Sequence, residues 1–264
     1  MTDLNRSTLV KVPAITLGFW IIKILATTLG ETGGDTVSMS MNLGYLVGTA
    51  IFMTILIVLI WFQIKAKAFH PWLYWATIIA STTAGTTLAD FATRSMGIGY
   101  AGGSALLALC VAGALFVWYR AMGSISADTV HEPKAELYYW TTITFSQTLG
   151  TALGDWAADD GGLGYGGAAI IFAGLLCWVT LLYYRTAISR VGLFWAAFIL
   201  TRPLGAAVGD FLDKPTEKGG LDFSRPLATA VLFVAIVALI RFVPQRIALP
   251  RSDSAVGSSS GGAE

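Results

Sequence analysis

Long apolar stretches separated by short polar breaks run along most of the chain. Eight of them, at approximately 13–34, 43–63, 70–90, 99–119, 136–155, 164–184, 191–211 and 226–243, reach the length an α-helix needs to cross a bilayer, about 20 residues. Pro13, Pro71 and Pro226 stand at or near their starts, where a missing N–H costs nothing. The stretches are of two kinds. Even-numbered ones, such as LVGTAIFMTILIVLIWF and LATAVLFVAIVALIRF, are apolar almost all round and suit a lipid-facing place. Odd-numbered ones are striped.

The odd stretches are also copies of one another. Aligned on a shared tryptophan they read FWIIKILATTLGETGGD, YWATIIASTTAGTTLAD, YWTTITFSQTLGTALGD and FWAAFILTRPLGAAVGD. Trp20, Trp75, Trp140 and Trp195 set the register, and Gly30, Gly85, Gly150 and Gly205 follow ten residues on. Four further on stand Gly34, Ala89, Gly154 and Gly209, each followed at once by Asp35, Asp90, Asp155 or Asp210. Nine residues after the first three aspartates the chain reads Gly44-Tyr45, Gly99-Tyr100 and Gly164-Tyr165, whereas the fourth copy has a longer, charged loop. The tryptophan spacings of 55, 65 and 55 point to two duplications, with a linker near 122–136 joining two halves, 13–121 and 137–245.

Each odd helix carries two lines at a spacing of four, which keeps residues on one helix face. One is small-x-x-x-small: Gly30/Gly34, Gly85/Ala89, Gly150/Gly154 and Gly205/Gly209, a pattern that lets helix backbones pack closely in lipid. The other is polar: Lys23, Thr27, Glu31, Asp35; Thr82, Thr86, Asp90; Gln147, Thr151, Asp155; Arg202, Ala206, Asp210. A charged side chain at bilayer depth costs about 3 kcal/mol or more unless paired or hydrated, so these lines are expected to converge on a common centre. The expected fold is an all-α integral membrane protein of eight transmembrane helices, four parallel two-helix repeats with odd helices inside and even helices outside.

Composition narrows the classes. Of 264 residues 55% are hydrophobic and 12% charged, against about a quarter charged in soluble domains. The net charge of +1 gives no reason to expect nucleic acid. Cys110 and Cys177 lie in apolar runs and read as small hydrophobes, and no cofactor motif is present. One sequence end, residues 1–12, reads as a short polar leader to a retained first helix; the other, 246–264, is rich in Ser and Gly and reads as a disordered tail. The tryptophan ends hold eleven Lys/Arg and the aspartate ends four, Arg94, Lys214, Lys218 and Arg225. The positive-inside rule then places both termini in the cytoplasm.

Hard cations take several oxygen ligands. Glu31, Asp35, Asp90, Asp155 and Asp210, with Thr27, Thr82, Thr86, Gln147 and Thr151, form a candidate binding set for calcium, manganese or magnesium, which suit oxygen ligands better than zinc or copper do. Lys23 and Arg202 would hold carboxylates when no ion is bound. The core, 13–243, resembles a family of bacterial multispanning membrane proteins of uncharacterised function with repeated Leu-Gly…Gly-Asp hairpins, which implies an inner-membrane location. Glu31-Thr32-Gly33-Gly34-Asp35-Thr36 is also similar to the Glu-x-Gly-Asp-Lys/Arg-Ser/Thr motif of calcium/manganese–proton exchangers, with one extra glycine and no basic residue after the aspartate.

A cation transporter or exporter is therefore the leading expectation, with membrane lipid and the transported ion or small solute as partners. Other readings remain open: a carrier of small organic or anionic solutes bound by Lys23 and Arg202, or a structural membrane protein whose charges lock the repeats together. The aspartates could also simply start turns. His70 and His131 fall in loops and no nucleophile–base pair is present, so no enzyme is expected. The sequence leaves the oligomeric state open.

Overall fold

The computed structural model describes residues 11–130 and 132–248; the expectations for 1–10 and 249–264 lie outside them. Eight long helices follow one another: α1 Leu17–Asp35, α2 Tyr45–Lys65, α3 Pro71–Asp90, α4 Tyr100–Met122, α5 Pro133–Asp155, α6 Gly164–Arg185, α7 Arg190–Asp213 and α8 Arg225–Phe242. Among the described residues the extended pairing is a single bridge between Pro13 and Ile247.

The odd helices form a closed ring, α1 on α3, α3 on α5, α5 on α7 and α7 on α1. Around it, α2 packs on α3, α4 on α5, α6 on α7, and α8 closes the circle on α1. Each outer helix thus covers the inner helix of the next copy. A copy is a hairpin in sequence but not a packing unit. The connection explains it. After α1, α3 and α5 the chain makes a five-residue π-helical turn (Thr36–Ser40, Phe91–Ser95, Trp156–Asp160). It then passes through Gly44, Gly99 or Gly164 at φ 78°, 74° and 64°, a left-handed conformation that glycine adopts without strain. The fourth copy lacks this turn; α7 runs on to Asp213 instead.

The small-residue stripe is what lets the ring close. A Cβ added at Gly30 would lie 2.4 Å from Thr82 Cγ2, one at Gly85 2.9 Å from the Gln147 backbone, one at Gly150 2.2 Å from Arg202 Cγ, and one at Gly205 2.2 Å from Thr27 Oγ1. The glycine stripe of each inner helix therefore meets the polar line of the next inner helix, all the way round.

Burial divides the same way. Fourteen of the twenty residues of α3 are buried, but in α2 only Gly48, Leu56 and Gln63 are. The outer helices expose large apolar side chains, Leu109 at 71%, Ile170 at 75% and Val234 at 65% among them, an apolar belt of a kind soluble monomers rarely show. Five helices, α2, α4, α6, α7 and α8, are long and apolar enough to cross a membrane. The other three inner helices fall short of that measure because threonine, serine and glycine replace aliphatic residues on faces covered by the ring, so the expected eight spans are matched in length but not in apolarity.

At the tryptophan end the ring is plugged. Phe19, Tyr74, Tyr139 and Phe194 hold equivalent positions and all are buried, together with Trp75, Trp140 and Trp195; the Tyr74 and Tyr139 hydroxyls are 2.8 Å apart. Beneath them both chain ends take part. Ala14 N–H donates to Arg246 O (2.8 Å) and Ala248 N–H to Val12 O (3.1 Å), and Lys11 Nζ is 2.7 Å from Glu136 Oε1 with both side chains buried. Residues 246–248, at the start of the stretch expected to be a disordered tail, are held by these bonds, and Val12 joins the aromatic core along with Ala127 and Val130 of the linker.

Candidate functional site

The four-residue register stacks the polar lines into layers along the ring, best followed from the plug outward. The first layer holds Lys23 with Ile78, Ile143 and Phe198 at the equivalent places. Lys23 is fully buried, its Nζ 3.3 Å from Thr201 Oγ1 and 3.9 Å above the Phe198 ring. It pairs with no carboxylate among the described residues, contrary to expectation: the other members of its layer are apolar, and Glu31 lies two turns away.

The second and third layers interlock. Arg202 Nη2 lies 2.9 Å from Glu31 Oε2, donates to Thr86 Oγ1 (2.6 Å) and to Thr151 Oγ1, and Nη1 donates to Thr27 O (3.4 Å). One guanidinium thus binds residues from all three other inner helices. Thr27 Oγ1 donates to Thr201 O (3.1 Å). In contrast, the Gln147 amide and the hydroxyls of Thr82, Thr142 and Ser146 are buried with no hydrogen-bond partner among the described residues. Polar groups left so usually mark water or a ligand, since burying them unmade costs about 1–3 kcal/mol each.

Asp35, Asp90, Asp155 and Asp210 form the next layer, each 1% exposed or less. They do not act as four equals. Arg94 joins Asp90 (Nε–Oδ1 3.0 Å) to Asp155 (Nη2–Oδ2 3.2 Å), and Lys214 joins Asp35 (2.8 Å) to Asp210 (2.9 Å). Arg225 Nε stands 3.4 Å from Asp213 and 3.7 Å from Asp35. Of the five carboxylates expected to serve a metal, Glu31, Asp35 and Asp210 come together, with one oxygen of each within 4.8 Å of the others; Asp90 and Asp155 are held apart on Arg94.

Above the aspartates lies a cavity of about 690 Å³ lined by residues of all four copies. Met39, Arg94, Asp159 and Lys214, each four residues past its aspartate, contribute to its wall, with Tyr100, Tyr165, Lys218 and Arg225. Burial opposes charge on Lys214, but Asp210, Asp35 and Asp213 outweigh it, so the ammonium is held well above its ordinary value and stays charged. Arg94 is likewise engaged on several sides: Nη1 donates to Tyr45 OH (3.3 Å), and the guanidinium lies 5.7 Å from the Tyr100 ring centroid.

Sequence reasoning passed over Arg94, Lys214, Asp213, Arg225 and the tyrosines. Two signals pointed to them: the i, i+4 placement of a cation after Asp90 and Asp210 only, and the Gly-Tyr step repeated after each of the first three aspartates.

No curated protein and no solved structure matches the chain, so the likeness of Glu31–Thr36 to the exchanger motif stands on those six residues alone. A family model described as a Repeat of Unknown Function (DUF347) matches four times, over residues 18–69, 73–124, 138–189 and 193–243. Each match takes in one inner helix, its aspartate turn and the following outer helix, and with the four together covering most of the sequence the chain belongs to this repeat family.

Proposed function

We propose that the chain is a multi-pass membrane transporter that moves a small cation, a divalent metal ion first among them, along the axis of the four-helix ring. All eight long helices would cross the bilayer of a bacterial inner membrane, the three polar ones sheltered by their neighbours, as a polar helix face at membrane depth must be. The excess of Lys/Arg at the tryptophan ends supports cytoplasmic termini, so that the cavity opens outward and the aromatic plug closes the cytoplasmic end.

The observation that carries this reading is the Glu31–Asp35–Asp210 cluster, joined through Lys214 to the wall of a cavity shared by all four copies. Three carboxylates within reach of one point suit a calcium or manganese ion. Around the axis six carboxylates (Glu31, Asp35, Asp90, Asp155, Asp210, Asp213) stand against five cations (Lys23, Arg94, Arg202, Lys214, Arg225), a balance that favours a positive guest. The unpartnered Thr82, Ser146 and Gln147 groups continue the polar line below.

The test is uptake of manganese and calcium into proteoliposomes holding wild type or Asp210→Asn, with a proton gradient imposed in either direction. Flux by the wild type and its loss in the variant are expected. Absence of flux for every ion, with folded protein, would overturn the reading. A second reading, a carrier of small anionic solutes, draws on the lining of the cavity by Arg94, Lys214, Lys218 and Arg225; competition by small carboxylates in the same assay would favour it.

A further inference from the structure

Two of the four copies place a cation one turn past the aspartate, and the two ties so formed differ in kind. Arg94 sits within a π-helical turn, its guanidinium spread over Asp90, Asp155 and the Tyr45 hydroxyl. In that half of the ring the positions one turn below the aspartates are Thr86 and Thr151, so neither aspartate has a carboxylate one turn below it on its own helix. A guanidinium with its fork so engaged is a fixed tie.

Lys214 is placed otherwise. It follows the last residue of α7 with extended backbone, φ −76° and ψ 152°, lines the outer cavity, and reaches Asp35 and Asp210 with one ammonium. Here the residue one turn below Asp35 is Glu31, which completes the three-carboxylate cluster. The second oxygen of Asp35, Oδ1, is buried with no hydrogen-bond partner among the described residues. Arg202 neutralises Glu31, which leaves two negative charges, Asp35 and Asp210, facing one ammonium. In place of the ammonium a divalent ion balances both charges, and a monovalent one does not.

Building on the cation reading above, we infer that Lys214 is a tethered stand-in for the transported ion: its ammonium occupies the Glu31–Asp35–Asp210 site when no ion is bound and moves into the outer cavity when a divalent cation enters. The half of the ring tied by Arg94 stays closed throughout. A lysine suits this role because it is a compact point charge on a flexible stem, released by breaking monodentate contacts, while its backbone stays anchored by Lys214 N–H to Asp210 O (2.9 Å) and Asp222 N–H to Lys214 O (2.9 Å). The ion and the ammonium then compete for the same oxygens, so the buried carboxylates of an empty site always keep a cation beside them.

The experiment is calorimetric titration of manganese into the purified full chain in detergent, comparing wild type, Lys214→Met, Lys214→Arg, Lys218→Met and Asp210→Asn, each first shown to be folded by its thermal transition. Lys214→Met should bind manganese at least about tenfold more tightly than wild type, and Lys214→Arg more weakly. Lys218→Met removes the same charge from the same cavity and should change affinity little, whereas Asp210→Asn should lose binding. Wild-type affinity in Lys214→Met, or equal tightening in Lys218→Met, would overturn the stand-in while leaving the cation reading in place. Should Lys214→Met not fold, unchanged affinity in Lys214→Arg overturns it equally. If neither the wild type nor any variant binds manganese, both readings fall together.

Discussion

The Arg202 guanidinium lies 2.9 Å from the Glu31 carboxylate in the interior of the ring, and neither side chain is more than 3% exposed. Breaking a buried pair by removing one partner costs about 3–5 kcal/mol, because the other charge is left uncompensated, whereas replacing both is far milder. Arg202→Met and Glu31→Gln should therefore each lower the thermal transition in detergent markedly, and the double variant should recover much of the loss. Arg202→Met should be the worse of the two, since Thr86 and Thr151 lose a donor as well. Additive losses in the double variant would show that the pair does not hold the ring together.

A sharper test of the ring comes from glycines. Gly205→Ala would bring a methyl group within 2.2 Å of Thr27 Oγ1 and 2.8 Å of the Thr27 backbone. Overpacking of this sort costs about 1–3 kcal/mol. At Gly174, on the outer face of α6, an added methyl meets nothing within 4 Å, and there alanine should be neutral or stabilising by up to about 1 kcal/mol from helix propensity. Equal thermal shifts for the two substitutions would remove the case for glycine-mediated closure.

These contacts also show how far the sequence could be read. The tryptophan-to-aspartate register places Gly205 and Gly209 on one line of α7 and Ala206 and Asp210 on the adjoining one, because a spacing of four keeps residues on one side of any helix. What a single register does not contain is which helix comes next around the circle. Arg202 and Glu31 occupy different layers, and they meet only because α7 packs on both α5 and α1. In the same way the four-residue step from Asp210 to Lys214 was visible, but the second partner, Asp35, follows from ring closure. Ala248 reads as part of a disordered tail because its contact, with Val12, spans nearly the whole chain. The placing of each outer helix on the next copy was hidden for a related reason: it depends on the three-dimensional course of the π turn, and no composition signal marks one.

The orientation proposed from loop charge can be checked directly. With Cys110 and Cys177 replaced by alanine, a cysteine at Ser40, exposed at the aspartate end, should react with an impermeant maleimide on intact cells. One at Ala68, exposed at the other end, should react only after permeabilisation. The reverse pattern would put the cavity on the cytoplasmic side and turn the direction of transport around.

Gln147 separates a passage from a dry scaffold. Its amide is buried, and neither its oxygen nor its nitrogen has a hydrogen-bond partner among the described residues. In a sealed interior such a group costs about 1–3 kcal/mol, so Gln147→Leu would raise the thermal transition, and activity elsewhere would be indifferent to it. In a hydrated passage the amide is already satisfied by water or by the moving ion, so the leucine would place an apolar collar between the carboxylate cluster and Lys23. We expect the second result: little gain in stability, together with loss of most ion flux. A clear rise in thermal stability with flux unchanged would mean that the lower part of the axis is a packed core, and that any ion bound at Glu31, Asp35 and Asp210 leaves by the way it came.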